Sequence, residues 1–168
     1  SPAVFAGSSY GVGNYAVVNP ISQLNSSTVA NGNLTGTVAA ATATSSLFGT
    51  ISIASGQFYW ETSYTSRSGN NALALGVLNN NVAMPLGSVL GSGCASIYSV
   101  NGNFYLNGVG SSYGSTFDTG TVIGIALDAT NATITFYLNN VSQGQKSITS
   151  GGVWTPAWGN GTSTGNQV

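Results

Sequence analysis

Over most of this chain the apolar side chains recur at every second position, and the pattern breaks every eight to twelve residues at Gly, Asn or Ser. A period of two belongs to extended chain, whose side chains alternate between two faces, whereas a helix needs a period near 3.6. The clearest strands are expected at 47–53 (LFGTISI), 57–65 (QFYWETSYT), 72–78 (ALALGVL), 95–100 (ASIYSV), 121–129 (TVIGIALDA), 133–138 (TITFYL) and 142–148 (SQGQKSI). Weaker ones lie at 15–18, 32–37 and 153–158. Between them sit Asn101-Gly102, Asn107-Gly108, Ser68-Gly69-Asn70 and Asn139-Asn140, residues that tolerate the positive φ of tight hairpin turns. Short strands, hairpin turns and no crossover helix predict an all-β fold with no substantial helix. The expected form is an antiparallel β-sandwich of two sheets, each with one face in a shared core.

The length of 168 residues suits one domain with a substantial core, so 1–168 is expected to be a single domain, with the Gly- and Ser-rich residues 1–13 as a lead-in. Its beginning at Ser1 without methionine reads as processing or excision from something longer. Two Lys and Arg against three Asp and Glu leave no basic field to hold phosphate backbones or anionic lipid, so nucleic acid is not an expected partner. No apolar run approaches the roughly 20 residues of a membrane span, and no membrane insertion is expected. Charged residues are 3% of the chain, against about 25% in ordinary soluble domains, and hydroxyls and amides supply the polarity instead. Such a surface suits an exterior setting where salt and pH vary. The 42% hydrophobic content argues against disorder. Cys94 is alone, so no internal disulfide forms, and it is expected as a small buried hydrophobe.

Catalysis is not expected. The chain has no histidine, which removes the commonest general base and the Ser-His and Cys-His nucleophile pairs. Zinc needs His or several Cys, calcium needs clustered oxygens, and neither set is present, so no cofactor or metal is expected. Glycoside hydrolysis needs two carboxyl groups about 5–10 Å apart. Glu61 has only Asp118 and Asp128 as partners, and each reads as a turn residue. On an extended strand Phe58, Trp60, Thr62 and Tyr64 project to one side and Gln57, Tyr59, Glu61 and Ser63 to the other, which parts Glu61 from the Trp60 ring.

The stretches SGQFYWET, LALGVL, TVIGIALDATNATITFYLNNVSQG and GVWTPAW resemble, in this order, a SPRY (B30.2-like) domain, and the N-terminal YAVVNPISQLNSSTVANGNLTGT resembles the lead-in of SPRY domains of the type found in bacteriophage tail and fibre proteins. The resemblance covers residues 14–160. Thr121, Gln57 and Asn140 depart from it, standing where Asp, Lys and Gly are frequent. It implies a bent, concanavalin-like β-sandwich that recognises a partner through variable loops and has no enzyme activity. It also implies that Glu61 is structural, paired with backbone or with a cation such as Arg67.

Loops carry function on rigid scaffolds. The segment 79–93 (NNNVAMPLGSVLGSG) and the stretch 103–117 (NFYLNGVGSSYGSTF) mix amides, hydroxyls, glycines and tyrosines, the chemistry of adaptable recognition surfaces. The candidate ligand-binding residues are therefore Asn79, Asn80, Asn81, Met84, Tyr105 and Tyr113. Trp60 is expected in the core, and so are Trp154 and Trp158, with stacking on a sugar ring as the alternative for the last two. Asn-X-Ser/Thr sequons begin at Asn25, Asn33, Asn131, Asn140 and Asn160, at a frequency that chance explains in so Asn-rich a chain.

The expectation is a recognition or adhesion module of a phage virion, on a tail fibre or other surface appendage, that binds a host-surface protein or glycan. The alternative is a structural domain that decorates or spaces the virion by contacting sister virion proteins. Self-association would then run through the parent protein, and the location would be virion or extracellular.

Overall fold

In the computed structural model the described residues are 17–24, 27–38, 45–66, 72–82 and 91–160. They hold thirteen strands and no helix. In chain order these are β1 (Val18–Leu24), β2 (Thr28–Ala30), β3 (Thr35–Thr37), β4 (Ser46–Gly49), β5 (Gln57–Ser63), β6 (Leu73–Asn79) and β7 (Cys94–Tyr98). They continue with β8 (Phe104–Leu106), β9 (Val109–Ser111), β10 (Val122–Asp128), β11 (Thr133–Leu138), β12 (Val141–Ser147) and β13 (Trp154–Asn160). A seven-stranded sheet runs β1-β4-β13-β6-β7-β8-β9, a four-stranded sheet runs β12-β11-β10-β5, and β2-β3 forms a separate hairpin. All the pairings are antiparallel.

The two sheets stack as expected. Leu75, Val77, Ala95, Ile97, Phe104 and Trp154 from the large sheet meet Ile123, Ile125, Leu127, Ile134, Phe136 and Leu138 from the small one in one core. In β11 every second residue is buried, the alternation of a strand with one wet face. Strand β6 differs, because all of it from Ala74 to Asn79 is buried. The large sheet has a second apolar layer on its far face, made of Phe48, Ala74, Leu78, Cys94, Tyr98 and Ala157. Each sheet has one face in the shared core, as expected, and the middle of the large sheet is buried on its far face as well, for which the near-continuous apolar run ALALGVL is the signature.

Gly76 is explained by the same crowding, since a Cβ there would collide with the Ala95 carbonyl and the Ser96 Cα on the neighbouring strand. Pro156 sits in the middle of the sheet, where proline is disfavoured because it has no N–H to give. Its partner β4 pairs with β13 only from Ala157 onward, so the missing donor falls where that ladder has ended.

The strongly patterned segments lie where the sequence places them, within a few residues at each end. Strands β2, β8 and β9 were not expected as strands, although the turn joining the last two was, at Asn107 (φ 52°) and Gly108 (φ 85°). Asn139 and Asn140, with φ of 48° and 67°, make the tight β11-β12 turn. Of the weak strand expected at 15–18, residues 15 and 16 lie outside the described residues and Val18 opens β1, which runs on to Leu24, and of 32–37 only Thr35–Thr37 is extended. The lead-in 1–13 and the turn Ser68-Gly69-Asn70 lie outside the described residues.

Candidate functional site

The residues singled out as ligand-binding fall into separate places. Asn79 ends β6 and is buried, and its Oδ1 accepts hydrogen bonds from the Asn81 N–H at 3.0 Å and the Val153 N–H at 3.3 Å. It holds the turn's shape and offers nothing outward. Asn80 is exposed. Its Nδ2 donates to Ser52 Oγ and to Thr155 Oγ1, each at 2.9 Å, and those two hydroxyls lie 2.7 Å apart. Asn81 is exposed too and donates from Nδ2 to the Gly151 carbonyl at 3.1 Å. The turn is therefore stitched to β13 and the turn preceding it. Beside it lies a shallow cleft of about 350 Å³ whose rim carries Asn19, Ser22, Ser52, Asn80 and Thr155. Ser52 and Thr155 were not anticipated as partners of Asn80, because they are 28 and 75 residues away and nothing local marks them. Met84 lies outside the described residues.

Tyr105, on β8, packs on the far face of the large sheet, its ring edge-on to Tyr98 with centroids 6.2 Å apart. Its ring covers Gly110 on β9. Tyr113 has a clear framework role. The β11-β12 ladder shifts register between Thr135 and Tyr137, which frees the Phe136 N–H from strand pairing. That N–H donates to the Tyr113 hydroxyl at 3.1 Å, and the hydroxyl donates to the Gly144 carbonyl. Burial pushes the Tyr113 phenol above its ordinary value. The asparagine turn, Tyr105 and Tyr113 are thus held by three different sets of contacts.

Glu61 stands on the outer face of the small sheet, where it accepts a hydrogen bond from the Tyr59 hydroxyl at 2.8 Å. This bond, more than anything else, raises the Tyr59 pKa. The partner of Glu61 is therefore a tyrosine, and Arg67 lies outside the described residues. Asp128 shares that face but stands opposite Gln57, four residues along the strand from Glu61. At the strand rise this is about 13 Å, beyond glycosidase spacing. Asp128 accepts from the Asn131 side chain and backbone and from Gln57, all at 2.8 Å, and Asp118 accepts from the Thr119 N–H. Both are turn carboxylates, as their positions in the sequence suggest. Trp154 is 1% exposed in the core, whereas Trp60 and Trp158 are only partly buried and pack against it.

The architecture, the strand Glu61 and the Asp128 turn fit the match of the SPRY domain model to residues 57–149. The chain belongs to the SPRY family. SPRY domains are non-catalytic protein-interaction modules. Solved SPRY structures carry the same fold. The SPRY domain of human HERC1 is similar with a TM-score of 0.67 at 20% identity, over 84% of this chain and 88% of that one. The TRIM65 PSpry domain gives 0.63 at 15% identity, over 86% and 83%. Stonustoxin gives 0.64 at 17% identity over 85% of this chain, which spans only 25% of the toxin chain. No curated protein matches by sequence.

Proposed function

We propose that this SPRY domain is the recognition module of a virion surface appendage, of the kind carried by phage tail fibres, and that it binds a host-surface protein or glycan without catalysing a reaction. The reading places it on the virion, in the extracellular medium. The observation that carries it is the nearly uncharged surface of the sandwich, whose turns expose amides and hydroxyls in place of the charges that ordinary domains use. The exposed amides of Asn80 and Asn81 and the exposed hydroxyl of Ser52, backed by the buried Thr155 hydroxyl, offer donors and acceptors with no net charge, chemistry suited to partners met in variable salt. Asn79 serves by fixing that turn, Met84 belongs to the segment that continues it, and Tyr105 and Tyr113 stiffen the neighbouring strands.

The test is an array of host-surface glycans and proteins probed with the purified domain, alongside Asn80→Ala and Asn81→Ala variants. The reading expects at least one ligand whose retention falls in a turn variant that still folds. A domain that binds nothing on the array, but co-sediments with the isolated appendage, is a structural spacer instead.

A further inference from the structure

A second cleft, of about 530 Å³, opens where the edge strand β5, the hairpin strand β3 and the end of β13 meet. Small-molecule sites have volumes of this order. Trp158 and Asn160 are two apart on β13 and so project to the same side, and across the cleft β5 presents Trp60 and Thr62. The Trp158 Nε1–H donates to Thr62 Oγ1 at 3.0 Å, which fixes the plane of its indole. Both tryptophans are partly buried, and both line the cleft.

Asn160 is the feature that ordinary folding does not explain. It is 3% exposed, and neither its Nδ2 nor its Oδ1 has a hydrogen-bond partner. A buried amide left unpaired costs about 1–3 kcal/mol, and each such group in a native fold calls for a reason. Its backbone N–H is satisfied by the Ser45 carbonyl, so the strand does not need the side chain. A leucine of similar shape would serve the core better.

We propose that this cleft binds a neutral saccharide, with the Asn160 carboxamide pairing to adjacent ring hydroxyls and the Trp60 and Trp158 rings packing on the apolar face of the sugar. The amide carries a donor and an acceptor side by side, which matches a vicinal diol. An apolar ligand would leave it unpaired. An anionic ligand would find no cation there, since no Lys or Arg is among the described residues lining the cleft and the carboxylate of Glu61 is held on the outer face of β5 by Tyr59. Both amide atoms are shielded from water, so pairing needs a turn of the side chain, and the terminal amide torsion of Asn is a broad one. The inference rests on the reading of this domain as a binder, but uses a different site from the Asn80 turn.

The test uses the intact domain with its tryptophans labelled with nitrogen-15, titrated with methyl glucoside, methyl galactoside, methyl mannoside, N-acetylglucosamine, maltose and lactose. Saturable shifts of the Trp60 and Trp158 indole signals are expected with at least one of them, while the signal of Trp154 in the core stays still. Asn160→Leu is expected to weaken that sugar roughly tenfold or more and to leave the urea midpoint equal or higher. Val109→Ala, at an exposed residue of β9 on the far edge of the large sheet, is expected to leave the binding of that sugar unchanged. No indole shift with any sugar overturns the proposal. So does Asn160→Leu that lowers stability, since the amide then has a partner at home, and so do shifts produced only by N-acetylneuraminic acid or by a peptide added along the β5 edge. A sugar whose binding depends on Asn80 and not on Asn160 would sink the cleft while leaving the recognition reading intact.

Discussion

Single side chains decide whether this sandwich closes, and Gly76 and Tyr113 show how differently they do it. Gly76 lies under the neighbouring strand, so Gly76→Ala is expected to cost about 3 kcal/mol or more, read as a lower urea midpoint with an unchanged slope. Tyr113→Phe removes the hydroxyl between the Phe136 N–H and the Gly144 carbonyl. The resulting orphan donor is expected to lower stability by about 1–3 kcal/mol. Amide exchange at Phe136 should speed up in the same variant. The left-handed turn at Asn139 and Asn140 was legible, because few residues accept positive φ and the chain supplies two of them in a row. The role of Tyr113 was not legible. A Tyr among Ser and Gly reads as a contact residue, and only the register shift in a strand 23 residues away gives it an inward purpose.

Among the strands, those with a strict period of two were legible to within a few residues, and β11 is the clearest case. Strands β8 and β9 have three residues each, too few to show a period, and only their Asn-Gly turn announced them. Strand β13 combines three roles that its sequence hides. Trp154 fills the core, Trp158 ties the large sheet to β5, and Asn160 faces the cleft. Trp154→Ala is expected to cost about 3–5 kcal/mol by urea unfolding. Trp60→Ala should cost less than that, because Trp60 already borders open space and leaves a smaller void. Equal losses at the two positions would mean that the cleft is closed in solution.

Taken as one body, the domain owes little to charge. Its melting temperature is expected to stay nearly constant as sodium chloride is raised, where a domain resting on surface ion pairs would weaken. The pH response should come from few groups, since the chain has no histidine to titrate near neutrality. The Asn131 side chain foremost, then its backbone N–H and the Gln57 amide, hold the Asp128 carboxyl below its usual value. Its contribution is present above the ordinary Asp range and fades as pH falls through the lower folded value. Asp128→Asn should flatten that acid limb. Burial pushes the Cys94 thiol from 9.0 up to about 12. Its contribution is intact below pH 9.0 and is lost as pH rises toward about 12, so Cys94→Ala should soften the alkaline limb in the same urea series. The same seclusion of Cys94 turns the chain's sole sulfhydryl into a clock. An alkylating reagent can reach it only during a brief excursion from the native state, so the labelling rate at neutral pH counts how often the large sheet parts.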